Sequence, residues 1–425
     1  MNSIQIKKFQ NGLTLLLVPK KNTLSATVSV FVKTGSEYET KESNGISHFL
    51  EHMLFKGTKK RRTPLDIFTF TDSIGANFNA ATSNQYTFYY IKTPYHNIEQ
   101  AFDIVSDIYL NSIFPTQEVE KERSVIIEEI NTYSDNPMMN MPNLFINCLY
   151  GDQPAGWDIA GTKQTVSNIK REDIISYMES QYKARNTIVV VAGNVNSQEV
   201  LRLVEKYFKN IRIGESKEKN KVIIKYDGPK VLIKKSNTDQ VHLALGGNGF
   251  SMKDKERFAQ DIITSILGGM SSARLFLKIR EEMGAAYYIW SDSDFFLDHG
   301  YIFTQTGVNI DKTKQVIKEI VNQYKLLTLK PIPSKELKKV KGYSEGKMTL
   351  SLEDSEALAN FYGVQYCLKD SVLKPKELVE IINKITPRDI IITSRKLFNT
   401  KNLYLAITGP FEKEEEKEFI NLLKI

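Results

Sequence analysis

"NIKREDIISYMESQY", Asn168 to Tyr182, has a counterpart in "NKITPRDIIITSRKLF", which begins at Asn383. A shift of 216 residues carries Ile169 onto Ile385, Asp173 onto Asp389 and Ile174 onto Ile390. The same shift carries Gly193, in "NTIVVVAGNV", onto Gly409, in "KNLYLAITGPF". Each copy reads as a helix, a buried strand and a glycine turn. A second amphipathic helix follows, "SQEVLRLVEKYFKNI" in one and "KEEEKEFINLLKI" in the other. Four positions held in one register point to a duplication.

A chain of 425 residues is also too long for one ordinary core. Between the copies lies "GESKEKNK", Gly214 to Lys221, a charged run without apolar periodicity that reads as a linker. Strand signals open both halves ("LTLLLV" and "ATVSVFV", then "KVLIKK" and "VHLALGG"), and longer helical stretches follow each. The expected fold is therefore α+β: two homologous domains, each a mostly antiparallel sheet with helices packed on one face. The expected boundaries are 1–213, a linker at 214–221, and 222–425.

With 41% hydrophobic and 25% charged residues, the composition is that of an ordinary globular protein rather than a disordered or membrane chain. The net charge of +7 is spread along the chain. The basic run "KGTKKRR", Lys56 to Arg62, lacks interleaved aromatics and reads as a solvated surface, so no nucleic-acid partner is expected. The apolar run "LTLLLVP" is too short to span a membrane and reads as a strand after an Asn-Gly turn. The two cysteines, Cys148 and Cys367, form no disulfide framework and suit a reducing compartment; the expected location is cytoplasmic.

The chemistry concentrates in "GISHFLEHMLFKG", Gly45 to Gly57. Only five histidines occur in the chain, and two of them, His48 and His52, are four residues apart. On a helix they project only about 40° apart, which suits two imidazoles gripping one zinc ion. Glu51 lies about 60° to the other side of His48. His-x-x-Glu-His is thus the inverted form of the His-Glu-x-x-His metal motif. Asn44 or Ser43 is placed to cap this helix, and Phe49, Leu50, Met53 and Leu54 to anchor it.

A catalytic zinc takes three protein ligands and keeps one position open. The third is sought in "EVEKERSVIIEEI", Glu118 to Ile130, which reads as a helix with Val125, Ile126 and Ile130 on its apolar side. Glu122 and Glu129 share the stripe that contains Ile126, whereas Glu128 points about 100° away. A carboxylate on a buried stripe needs a partner, and a metal supplies one. Glu129 is the expected ligand, and Glu122 the carboxylate that orients a histidine. His96, His242 and His299 lie in a loop, a strand and a turn, and read as structural or surface residues. The pair Gly268-Gly269, followed by Ser271 and Ser272, lacks the Lys-Ser/Thr ending of a phosphate loop and reads as a helix break.

These residues resemble the family of pitrilysin, insulin-degrading enzyme and the mitochondrial processing peptidase. The likeness rests on His48 to His52 with a glutamate 77 residues beyond, and on "GSEYE", "HFLEHMLFKGT", "GANFNAATSNQYTFYY" and "LGGMSSARLFLKIREEMGAAYYI". It spans almost the whole chain and is similar to the shorter, two-domain members, in which two chains close as a clamshell. The resemblance implies a zinc endopeptidase with one zinc per chain on His48, His52 and Glu129. It implies Glu51 as general base and Glu122 as supporting carboxylate. Arg280 and Tyr287, in "REEMGAAY", match a pair that such enzymes bring to the substrate backbone from the partner subunit. One chain carries both sets, so a homodimer is expected, with a heterodimer of homologous subunits as the alternative. An extended peptide is expected to add to the strand in "ANFNAATSNQYTFYY", nearest Asn79 and Ala80.

The second half has no such motif: in the 216-residue register His48, Glu51 and His52 fall on Thr264, Leu267 and Gly268. The sequence also admits three rival readings. One is an inactive scaffold subunit of the same fold, and another a peptide-binding module without turnover. The third is a zinc lyase with a cysteine ligand, for which Cys148 is the nominee.

Overall fold

The computed structural model describes residues 4–425. Its first sheet contains β1 (Gln5–Lys8), β2 (Thr14–Pro19), β3 (Ser25–Val32), β4 (Asn77–Thr82), β5 (Thr87–Pro94) and β6 (Thr187–Gly193). Their spatial order is β1-β2-β6-β3-β5-β4. The second contains β7 (Lys230–Lys235), β8 (Gln240–Asn248), β9 (Ala286–Phe295), β10 (Gly300–Asn309) and β11 (Tyr404–Gly409), in the order β7-β11-β8-β10-β9. Each sheet has one parallel pair, β2 with β6 and β7 with β11, and is otherwise antiparallel. Without β1, the two orders correspond strand for strand. The duplication read from four residues is a duplication of the whole topology.

The matched residues do matched work. Asp173 accepts the backbone N–H of Lys170 at 2.8 Å, and Asp389 that of Thr386 at 2.8 Å. Each carboxylate thereby closes the first turn of its helix, Arg171–Gln181 or Pro387–Leu397. Ile174 and Ile390, one residue on, are fully buried.

The compact units are not the sequential halves expected. One comprises 1–130, 158–220 and 349–373; the other comprises 131–157, 221–348 and 374–425. The linker expected at 214–221 does contain one of the crossings, and it carries no helix or strand. It is not wholly solvated, because the Lys219 side chain is buried in an ion pair with Glu37 at 3.0 Å.

The exchanged segments cover sheet faces. In the first unit, Ala26, Val28, Val30 and Val32 of β3 face a core that includes helix Ile98–Asn111. The opposite face of β3 meets helix Ser355–Lys369, where the Ser355 hydroxyl lies 2.8 Å from that of Thr27. Gly363 permits this approach, since a Cβ there would stand 2.3 Å from the Phe31 ring. In the second unit, helix Pro137–Tyr150 packs Met141, Phe145 and Leu149 with Ala244, Phe303 and Ala406 of the sheet. Helices on one face, as expected, are thus joined by one helix on the other. Strands buried on both faces explain why β3 and β6 read as nearly continuous apolar runs. No described helix is long and apolar enough to cross a membrane.

Candidate metal centre

The motif forms helix Ile46–Met53, directly downstream of β3. Phe49, Leu50, Met53 and Leu54 are fully buried, as expected, and fix its apolar side. The cap differs from expectation. Gly45 is the N-cap, with φ of 98°, and a Cβ there would lie 2.7 Å from the carbonyl oxygen of Ala160. Neither Asn44 nor Ser43 caps the helix; the Glu39 carboxylate does. It accepts the N–H groups of Gly45 and Ser47, each at 2.8 Å, and the Asn44 side chain at 3.0 Å. Burial pushes the Glu39 pKa up to about 7, against the lowering effect of these donors.

His48 and His52 bring their Nε2 atoms within 3.2 Å of each other. Helix Thr116–Asp135 delivers Glu129, whose Oε2 lies 3.8 Å from His48 Nε2 and 3.6 Å from His52 Nε2. A tetrahedral zinc with bonds of about 2.0–2.1 Å places its donors about 3.3 Å apart, so the set fits such an ion. Burial, with a contribution from His52, pushes the His48 pKa down to about 3. A neutral His48 is the form that binds a metal, and close-facing imidazole nitrogens call for a proton or a cation between them. The three side chains are a group that can hold a metal ion, and among the described residues no such group lies wholly in the second unit.

Glu122 is 6% exposed and accepts from His52 Nδ1 at 2.9 Å. That bond commits the Nδ1 proton to Glu122 and frees the Nε2 lone pair for a metal. On its other side Lys56 Nζ stands 2.6 Å from Glu122 Oε2. Burial pushes the carboxyl up, but His52 and Lys56 outweigh it and hold its pKa below the ordinary value. Lys56 reads in the sequence only as part of a solvated basic run; its place four residues beyond His52 is the signal for this role.

The basic run that contains Lys56 is a solvated surface, as expected, at Lys59, Lys60 and Arg62, but not at Arg61. Arg61 is buried, with Asp103 at 2.6 Å and Asp107 at 2.8 Å, and its guanidinium lies 4.0 Å from the centre of the Phe70 ring. Val125, expected on the apolar side of helix Thr116–Asp135, is 50% exposed; Ile126 is buried and Ile127 packs against the core instead.

Glu51 Oε2 accepts from the Thr82 hydroxyl at 2.6 Å, and burial raises its pKa above the ordinary carboxylate value. Thr82 ends β4, the edge strand of its sheet, as the alternation in that segment implied. Asn79 and Ala80 lie on this strand, and the Asn79 side chain accepts the Ala80 N–H at 2.9 Å. Arg280 and Tyr287 belong to the other compact unit, so the structure does not group them with the histidines. Arg280 is exposed in the helical turn Phe276–Glu282, and Tyr287 is 77% exposed on β9, the edge strand of the second sheet.

Cys148 belongs to the other compact unit, and it is not among the residues that form the metal-ready group. It sits in the helix packed on the second sheet, with its thiol against the Leu405 carbonyl and its pKa pushed up to about 12 by burial. That placement removes the basis for a cysteine-ligated centre. His96, His242 and His299 contribute nothing to the group; His299 is buried against Phe296 and Tyr150. The expected helix break is present, since helix Arg257–Leu267 ends at Gly268.

Comparison with known proteins places these features in company. The family model "Insulinase (Peptidase family M16)" matches residues 15–163, and "Peptidase M16 inactive domain" matches 168–342. An "Uncharacterized zinc protease" of Rickettsia felis is 34% identical over 409 residues, covering 96% of this chain and 98% of that protein. The mitochondrial-processing peptidase subunit beta of Saccharomyces cerevisiae is 29% identical, covering 95% and 90%. The crystal structure of a protease from Helicobacter pylori superposes with a TM-score of 0.90 at 25% identity, covering 96% of this chain and 99% of the other.

Proposed function

The chain belongs to the insulinase-type peptidase family M16, and on that footing we propose that it is a zinc endopeptidase acting on peptides or small unfolded polypeptides. The observation that carries the reading is the convergence of His48 Nε2, His52 Nε2 and Glu129 Oε2. A zinc ion held by these donors supplies Lewis-acid polarisation of a carbonyl and of water. Glu122 and Lys56 keep the His52 ring in the tautomer that leaves its Nε2 free.

Glu51 is the general base. Its carboxylate takes the proton of the attacking water and returns it to the leaving amine. A carboxylate whose burial favours the protonated form is suited to holding that proton between the two steps. The peptide adds to the open edge of β4 by backbone hydrogen bonds, beside Asn79 and Ala80, which makes recognition depend on extended shape more than on side chains. Arg280 and Tyr287 are exposed on the other compact unit, and in a pair of chains they would meet the substrate backbone from the partner copy. A homodimer is therefore self-sufficient. The two cysteines, both free, fit a cytoplasmic setting.

The test is cleavage of an unstructured, internally quenched peptide by the purified protein. Activity is expected to vanish with a chelator and return with zinc. Glu51→Gln is expected to keep the zinc and lose about 10²–10⁴-fold in kcat. A zinc-loaded protein that cleaves none of a varied peptide set would overturn the reading in favour of a peptide-binding subunit.

A further inference from the structure

Thr82 occupies two positions of consequence at once. Its side chain donates to Glu51 Oε2 at 2.6 Å. Its backbone lies on the open edge of the sheet. The Ser83 N–H donates to the Tyr86 carbonyl at 2.8 Å, which makes Ser83 and Tyr86 a hydrogen-bonded pair. In the register that pairs Thr82 with Thr87 and Ala80 with Tyr89, alternate residues turn their backbone groups away from β5. Those residues are Thr82, Ala80 and Phe78. Thr82 turns its backbone as well as its hydroxyl to Glu51. An added strand would bond along this row by taking the Ala80 N–H from the Asn79 side chain, which now accepts it at 2.9 Å.

We propose that Thr82 is a positioning residue for Glu51, which ties the orientation of the base to the strand that receives the peptide. The hydroxyl engages Oε2, and the Thr82 backbone also bonds the Glu51 carboxylate, so one strand residue holds the base by both side chain and main chain. A peptide bonded to the β4 edge would then be registered against a strand that also fixes the base. The inference rests on the endopeptidase reading given above. It adds that the Thr82 hydroxyl serves turnover and not peptide affinity or metal retention.

Thr82→Val removes the side-chain donor at nearly constant volume and leaves the backbone one, and Thr82→Ser restores a hydroxyl. The quenched peptide is the kinetic probe. Thr82→Val is expected to lower kcat by about 10- to 100-fold, as misplacement of a reacting group does, with KM changed less than about twofold. Thr82→Ser is expected to recover most of kcat. Zinc content should be unchanged in both, and the peptide should bind the double variant Glu51→Gln/Thr82→Val as tightly as it binds Glu51→Gln. An unchanged kcat in Thr82→Val, a parallel loss of peptide affinity or zinc, or a serine variant as slow as the valine would each overturn the proposal.

Should the parent protein cleave nothing, the endopeptidase reading fails and the positioning role is judged from crystals of Thr82→Val. The Glu51 carboxylate is expected to leave its present orientation there, and one that stays in place would overturn the proposal.

Discussion

Helices Thr116–Asp135 and Ser334–Ser351 are counterparts in the two halves, and their seventh residues differ in kind. In the first that residue is Glu122, 6% exposed; in the second it is Val340, fully buried. The helices that follow β3 and β8 differ in the same way. Helix Ile46–Met53 presents His48 and His52, whereas Arg257–Leu267 buries Thr264, whose hydroxyl returns to the carbonyl of Gln260 at 3.0 Å, and Leu267. One topology therefore supports a metal-ready seam in one half and, at the corresponding helices of the other, a seam with neither histidine nor buried glutamate. The fold does not require the carboxylate at Glu122. A buried charge there is tolerable because His52 and Lys56 satisfy it.

The contrast can be broken most severely by giving the first half the chemistry of the second. His52→Leu is expected to lose zinc altogether, beyond the roughly 10- to 100-fold fall that loss of an outer partner causes. Thr264→Ala, in the equivalent helix, should leave zinc stoichiometry untouched; metal analysis after gel filtration checks both. Glu122→Val imports the residue of the other seam. It is expected to weaken zinc binding by about 10- to 100-fold in competition with a chromophoric chelator. Thermal stability of the metal-free protein should also fall, because the substitution strands Lys56 and His52 Nδ1, both of which Glu122 now pairs.

The Glu39 cap is expected to show in pH dependence. Its folded pKa of about 7 lies above the ordinary carboxylate value, so between those values the folded protein holds a proton that the unfolded chain has released. The contribution is full below about pH 4.5 and is lost as pH rises to about 7, with a span on the order of 3 kcal/mol. Glu39→Gln should remove that decline from denaturant unfolding curves of the metal-free protein recorded across this window. The smallest effect tests the symmetry itself. Asp173→Ala and Asp389→Ala each remove a carboxylate that closes a first helical turn, and each is expected to cost about 1 kcal/mol.

Much of this was legible in the chain because the signals were local. The duplicated register marks positions that do the same job twice, as Asp173 and Asp389 do. His48, His52, Glu122 and Glu129 were legible because helical geometry alone decides which side chains share a face. What escaped depends on partners distant in sequence. Helices Pro137–Tyr150 and Ser355–Lys369 have apolar faces, but a face does not state which sheet it will cover. Arg61 reads as solvated until Asp103 and Asp107 are placed beside it. Glu39 caps its helix from outside the helix, where local cap rules expected Asn44 or Ser43. Lys56 gains meaning only once Glu122 arrives from another helix.

The central claim is that one half of the duplication holds the metal and the other does not. Anomalous diffraction at the zinc edge, from crystals of the zinc-loaded protein, tests it directly. The account predicts a single strong peak per chain, within bonding distance of His48 Nε2, His52 Nε2 and a Glu129 carboxylate oxygen. No peak at that position, or an equal one within the second half, would contradict it.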